Sequence, residues 1–93
     1  MSEVAHHLTI HGRVQGVGYR AWVENEASAR GLRGWVRNRR EGTVESVLCG
    51  LESAVEDMVR LCWQGPPMAQ VRDIDAQPCA LPEENGFEQL PTQ

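Results

Sequence analysis

The sequence predicts an α+β domain in which two helices pack on one face of an antiparallel sheet. Four stretches alternate apolar and polar residues as strands do, and two repeat apolar residues every three or four positions, as amphipathic helices do. Glycine and proline residues separate these stretches. A chain of 93 residues is too short for separate catalytic and cofactor domains, so we expect residues 1–93 to form a single domain.

The predicted elements follow the order βαββαβ, with a further short strand near the C-terminal end. Strands are predicted over residues 7–14, 32–38, 43–49, 69–76 and 86–90, and helices over residues 20–30 and 51–63. This order is that of the ferredoxin-like α/β sandwich, whose third strand lies between the first and the second. The first two strands then run parallel, about 10 Å apart, and end at the same edge. We therefore expect the segment after the first strand and the segment near Asn38 to share one site.

The charges are distributed unevenly along the chain. All nine basic residues are arginine, and seven of them fall in residues 1–40 with three acids, whereas residues 41–93 hold two arginines and ten acids. A basic first half suggests an anionic ligand, although a solvated surface accounts for most of these arginines. The whole chain is acidic, with a net charge of −4, and its aromatic residues do not alternate with the arginines. We therefore expect no nucleic-acid partner.

Neither a membrane segment nor a secretion signal is predicted. No apolar run approaches the roughly 20 residues that span a bilayer. The N-terminal stretch MSEVAHHLTI lacks the basic, apolar and small-residue sections of a signal peptide. We expect a cytoplasmic protein without a membrane partner, and a monomer.

The residue types that bind metals are scattered. The cysteines form no CxxC pair, so we expect free thiols, with a disulfide as the alternative, and neither a zinc site nor a redox pair. Cys62 and Met58 fall on the apolar stripe of the second helix and are expected in the core. The histidines, on or before the first strand, show no ligand spacing, so we expect no metal. These residues are Cys49, Cys62, Cys79, His6, His7 and His11.

The stretch GRVQGVGYR, residues 12–20, joins the first strand to the first helix and contains no nucleophile. Residues 16–21 match the dinucleotide fingerprint G-x-G-x-x-(G/A), and Glu41 follows about twenty residues later. However, Glu41 lies in a hairpin turn, beyond the strand end where a ribose-binding acid belongs, and the chain then turns back antiparallel. The chain also contains no lysine, which excludes an ordinary P-loop. A nucleotide site is therefore disfavoured.

Two other interpretations of this stretch are a tight turn and an anion-binding loop. In the first, the glycines serve close packing alone. This leaves unexplained an arginine at a helix start, where the helix dipole is already positive. In the second, main-chain N–H groups surround a phosphate, and the guanidinium of Arg20 binds it with two hydrogen bonds. The predicted loop consists of Gln15, Gly16, Val17, Gly18, Tyr19 and Arg20.

Three stretches together resemble the acylphosphatase family over residues 8 to about 75. They are GRVQGVGYR, GLRGWVRNRREGTVESVLCG and GPPMAQV, and they occur in the family's order and spacing. Tyr19 stands where phenylalanine is commoner, Glu41-Gly42 replaces an Asp-Gly turn, and GFEQLPTQ lacks the basic–aromatic ending of many members. By position, the resemblance implies that Arg20 binds the phosphoryl group and that Asn38 orients water.

The resemblance implies hydrolysis of acyl phosphates, which are small molecules, to carboxylate and inorganic phosphate. A carboxylate leaves without help from a general acid, because carboxylic acids have a pKa near ~4. Metal-independent in-line attack by water would then suffice, with no cofactor. The alternative is a non-catalytic accessory module that binds acyl or carbamoyl phosphate, since such modules use the same residues.

Overall fold

The computed structural model describes residues 2–93, which form two helices and five strands. In chain order these are β1 (Glu3–Arg13), α1 (Tyr19–Ala29), β2 (Arg33–Asn38), β3 (Val44–Leu51), α2 (Glu52–Gln64), β4 (Gln70–Pro78) and β5 (Phe87–Gln89). Each predicted helix and strand is present, with ends that differ by a few residues. The largest difference is at β1, which begins four residues earlier than the sequence pattern indicates. His6 and His7 lie inside this strand, paired with Leu48 and Val47 of β3.

The strands form one sheet in the order β4-β1-β3-β2-β5. β3 pairs antiparallel with both β1 and β2, and β4 pairs antiparallel with the other edge of β1. The ferredoxin-like arrangement is therefore confirmed, including the position of the third strand between the first two. β1 and β2 consequently run in the same direction.

The sheet is mixed rather than wholly antiparallel, because β5 pairs parallel with β2. β4 ends beside His6, at the end of the sheet where β2 begins. The connection over residues 79–86 stays at that end. Its hydrogen bonds run from the Cys79 N–H to the Ala5 carbonyl at 3.0 Å and from Arg33 to the carbonyls of Pro82 and Glu84. β5 therefore starts level with the start of β2 and runs in the same direction.

The helices pack on one face of this sheet through small and medium apolar side chains. On α1, Val23 and Ala27 are fully buried. On α2, Val55, Met58 and Cys62 are fully buried, as expected for the last two from the apolar stripe. They form one core with sheet residues that include Leu8, Ile10, Val36, Val44 and Leu48. Within residues 2–93, no helix is long and apolar enough to cross a membrane.

Tyr19, the first residue of α1, is the largest fully buried side chain. Its hydroxyl donates a 2.5 Å hydrogen bond to the Cys62 carbonyl, in the last turn of α2. The last carbonyls of a helix have no partner within it, so this bond satisfies one of them. The ring also contacts Trp22, with 5.5 Å between ring centroids. Tyr19 thereby fixes the start of α1 against the end of α2.

Replacing Tyr19 with phenylalanine should lower the free energy of unfolding by about 1–3 kcal/mol, because the buried Cys62 carbonyl loses its donor. Urea unfolding of both proteins measures the difference. Equal free energies of unfolding would show that this hydrogen bond contributes nothing.

Burial raises the pKa of the Tyr19 phenol above its usual value near 10, and the Cys62 contacts act in the same direction. Folding thus favours the neutral phenol. The stability of the native protein should hold below about pH 10 and fall above it, as the phenol ionises in the unfolded state. Tyr19→Phe should lack this part of the decline. Tyr19 is the only tyrosine, so in native protein tyrosinate absorbance should rise only as the chain unfolds.

Candidate active site

A pocket of about 180 Å³ opens at the edge of the sheet where β1 and β2 both end. It lies between the loop after β1, the first turn of α1 and the last residue of β2, with β5 on one side. Its lining consists of Val14, Gln15, Gly16, Gly18, Tyr19, Arg20, Ala21, Asn38 and Gln89. The two segments expected to share a site therefore line one pocket.

The loop between β1 and α1 contains two glycines with left-handed backbone. Gly16 has φ of 74° and Gly18 has φ of 79°, a region that residues with a Cβ rarely adopt. A Cβ built at either position would meet no other atom within 4 Å. These glycines are therefore required for the direction of the backbone, and the alternative in which they serve close packing fails.

The start of α1 presents unsatisfied N–H groups to this pocket. Gly18 is the N-cap residue, it provides no side-chain cap, and the first turn contains no acidic residue. The first N–H groups of any helix lack partners within the helix, and they carry the positive end of its dipole. An anion is the ligand that satisfies both conditions.

Arg20 adds a full positive charge to the same helix turn. Its side chain is half-buried, and it forms no ion pair with any of residues 2–93. Most other arginines of the basic first half are neutralised by carboxylates. These are Arg30, Arg33, Arg37 and Arg39, paired with Glu26, Glu3 and Glu45. The Arg20 guanidinium thus remains free to bind a ligand in the pocket.

Asn38 is the last residue of β2, and main-chain hydrogen bonds hold it on two sides. It pairs with Val44 of β3, and its carbonyl accepts a 3.1 Å hydrogen bond from the Gln93 N–H. The Gln93 carbonyl in turn accepts from the Arg40 N–H at 3.2 Å. The backbone of Asn38 is therefore fixed at the point where this residue lines the pocket opposite the loop.

Gln15 connects the loop to the hairpin that follows Asn38. Its side-chain amide donates to the carbonyls of Arg39 at 2.7 Å and Thr43 at 2.9 Å. Both donor hydrogens of the amide are thereby used within the protein. Gln15 was expected among the groups that surround the phosphate, and the structure indicates that its side chain positions the loop against the turn.

Two other loop residues direct their side chains away from the pocket mouth. Val17, a residue of the predicted loop, packs against the hydrophobic core and does not line the pocket. The Tyr19 hydroxyl is bonded to Cys62.

Sequence reasoning missed Gln89 of β5, which lines the pocket beside Asn38. Its side-chain amide donates a 2.7 Å hydrogen bond to Glu24 of α1. The only sequence signal for this strand is Phe87, which is buried in an otherwise exposed segment. That signal gives neither the pairing partner nor the direction of the strand.

The cysteines are free thiols, as expected. Cys62 is buried, and burial raises the pKa of its thiol to about 12, which keeps it unreactive.

Two of the histidines are bonded singly to acids, His7 to Glu45 and His11 to Asp75. Within residues 2–93, no three side chains of His, Cys, Asp or Glu are grouped as a metal site requires.

Comparison with known proteins agrees with this geometry. The family model described as acylphosphatase matches residues 6–89. The chain belongs to the acylphosphatase family. A curated acylphosphatase of Bradyrhizobium diazoefficiens is 51% identical over 85 residues, which cover 91% of this chain and 86% of that one. The structure of an acylphosphatase from Coxiella burnetii has a TM-score of 0.91 and 33% identity, covering 95% of this chain and 93% of that one.

The acylphosphatase fold also occurs as one segment of a larger protein. Full-length HypF in its phosphate- and nucleotide-bound form has a TM-score of 0.90 and 26% identity to this chain. The match covers 98% of this chain but 12% of HypF. In contrast, the acylphosphatases from Bradyrhizobium diazoefficiens and Coxiella burnetii are matched over most of their own length.

Replacing Gln15 with glutamate should weaken inhibition by inorganic phosphate at least tenfold. The carboxylate keeps the shape of the side chain but cannot donate to the Arg39 and Thr43 carbonyls, and it brings a negative charge to the pocket. The inhibition constant is measured with a turnover assay. Gln77→Glu, an exposed site on β4, makes the same charge change elsewhere and should have no effect. An unchanged inhibition constant in Gln15→Glu would contradict the positioning role.

Proposed function

We propose that this chain hydrolyses acyl phosphates by direct attack of water on phosphorus, with Arg20 holding the phosphoryl group and Asn38 orienting the water. Acyl phosphate hydrolysis is the activity of the family to which the chain belongs. The residue roles are supported by one observation above all. A single pocket contains an arginine without a carboxylate partner, an uncapped helix start and an asparagine amide.

The composition of the pocket matches what this reaction needs. Of the described residues that line it, none is a Ser, Cys, His, Asp or Glu, and the hydroxyl of Tyr19 is bonded to the Cys62 carbonyl. No lining side chain is therefore available as a nucleophile or as a general acid. An acyl phosphate needs no general acid, because its leaving group is a carboxylate whose conjugate acid has a pKa near ~4. What remains is stabilisation of charge and positioning of the reactants, which dominate phosphoryl transfer.

Arg20 and the N–H groups from Gly16 to Arg20 would bind the equatorial oxygens of the phosphoryl group. Arginine suits this task because its planar guanidinium makes two parallel hydrogen bonds to one phosphate. The positive helix end and the arginine act in the same direction, so both stabilise the charge spread over those oxygens.

Asn38 would hold the attacking water in line with the leaving carboxylate. Its side chain can accept a hydrogen bond from water through its carbonyl oxygen or donate one through its amide. Water attacks phosphorus, the P–O bond to the carboxylate breaks, and the proton of the water passes to a phosphate oxygen of the substrate. All of these groups come from one chain, so a monomer suffices.

A non-catalytic phosphate-binding module is the competing function. The match to a small part of HypF is the observation that favours it. The coverage of the acylphosphatases from Bradyrhizobium diazoefficiens and Coxiella burnetii favours the enzyme instead. Release of inorganic phosphate from benzoyl phosphate separates the two, because a binding module would bind the compound without turnover.

Hydrolysis of benzoyl phosphate should be unaffected by EDTA. The proposed mechanism uses only an arginine, main-chain N–H groups and an asparagine. Phosphate release is measured before and after dialysis against the chelator, with and without added magnesium. Activity that disappears on chelation and returns with magnesium would overturn the mechanism.

Arg20→Lys should be nearly as damaging as Arg20→Ala, because lysine keeps the charge but loses the two-point geometry. Turnover and inhibition by inorganic phosphate should both fall strongly. A lysine variant that keeps more than about a tenth of wild-type turnover, or ~1.4 kcal/mol of barrier, would show that bidentate geometry is not required.

Asn38→Ala should separate turnover from binding. If Asn38 positions only water, kcat should fall by about two orders of magnitude or more, while the inhibition constant for phosphate changes by less than about threefold, or roughly 0.65 kcal/mol. Thermal melting of the same sample shows whether the fold is intact. A stable variant with normal turnover would remove Asn38 from the mechanism.

A further inference from the structure

A hydrogen bond between Gln89 and Glu24 lies at the rim of the pocket. The Gln89 Nε2 donates to the Glu24 Oε1 at 2.7 Å, across the gap between β5 and α1. Gln89 also lines the pocket together with Arg20 and Asn38. The acylphosphatase mechanism described above gives this contact no role.

Glu24 follows Arg20 by four residues on α1, which places both side chains on one face of the helix. A carboxylate and a guanidinium at this spacing can pair, and the same helix contains such a pair. Glu26 and Arg30 are also four residues apart, and they form an ion pair at 2.7 Å. Arg20 and Glu24 do not pair in the structure.

An ion pair between these two residues would interfere with phosphate binding. A carboxylate on the Arg20 guanidinium would occupy the hydrogen bonds that a phosphate needs and would cancel part of the positive charge. The order here, with arginine before glutamate, is the weaker arrangement on a helix, and exposed pairs of either order are weak. A single competing hydrogen bond is therefore enough to keep the pair apart.

We propose that Gln89 is a positioning residue that holds the Glu24 carboxylate away from Arg20 and thereby keeps the arginine free for the substrate phosphate. This inference rests on the proposed role of Arg20. A neutral amide suits the task, because it donates to the carboxylate without placing another charge beside the pocket. A lysine or arginine at position 89 would bind Glu24 too, but would itself attract the phosphate.

The test compares Gln89→Ala, Glu24→Gln and the double variant, using inorganic phosphate as the probe and benzoyl phosphate as the substrate. In Gln89→Ala the carboxylate is released and can pair with Arg20, so the phosphate inhibition constant and KM should rise about twofold, while kcat stays unchanged. Glu24→Gln alone should bind phosphate at least as well as the native protein. Adding Glu24→Gln to Gln89→Ala should restore the native inhibition constant and KM.

Glu88→Ala is the matched control, because Glu88 is an exposed neighbour on β5 and should leave all constants unchanged. A native inhibition constant in Gln89→Ala would overturn the inference. So would a weakened Gln89→Ala that Glu24→Gln fails to restore, since Gln89 would then contact the phosphate itself or support the fold. Arg20→Ala, assayed in the same experiment, tests the proposed phosphate-binding role of Arg20 separately from the positioning role of Gln89. If that variant binds phosphate normally, the proposed function of Arg20 fails, whatever the result at Gln89.

Discussion

The pairing of β3 with both β1 and β2 determines where the site can form. Ile10 of β1 and Asn38 of β2 both pair with Val44 of β3. Because both pairings are antiparallel, β1 and β2 run in the same direction, about 10 Å apart. β2 ends at Asn38, level with Ile10, and β1 continues to Arg13. The loop between β1 and α1 begins directly after Arg13, and Asn38 ends β2. Their proximity follows from the register of one strand.

Of the seven arginines in residues 1–40, four pair with carboxylates, whereas Arg20 lines the pocket. On the sheet face opposite the helices, Glu45 accepts hydrogen bonds from His7 and Arg37 at 2.6 and 2.7 Å. Burial alone would raise the pKa of the Glu45 carboxyl, but these hydrogen bonds outweigh burial and lower it. Much of the basic charge that suggested an anionic ligand is thus neutralised in the fold. Arg20, which forms no ion pair with any of residues 2–93, lies in the first turn of α1, at the positive end of the helix dipole.

The sequence allowed the positions of Arg20 and Asn38 to be predicted, because both depend on where elements end and on strand order. The ends of helices and strands can be recognised from neighbouring residues, such as the glycines before α1 and the polar residues after Val36. The positions of Gln15 and Gln89 relative to the pocket depend on contacts between segments that are far apart in the sequence. Gln15 binds main-chain carbonyls 24 and 28 residues away, and every residue offers such carbonyls. Gln89 reaches the pocket because residues 79–86 cross from one edge of the sheet to the other, a route that no residue pattern specifies.

Gly16 and Gly18 lie in the loop between β1 and α1, at positions where the backbone is left-handed. Space is available at Gly16 and Gly18, since an added Cβ would contact nothing, yet the left-handed backbone disfavours an L-residue by about 1–2 kcal/mol. The requirement at these positions is therefore one of handedness rather than size. A mirror-image alanine would fit where natural alanine does not. The direction of the backbone in the loop before α1 is thus set by chirality, independently of any ligand.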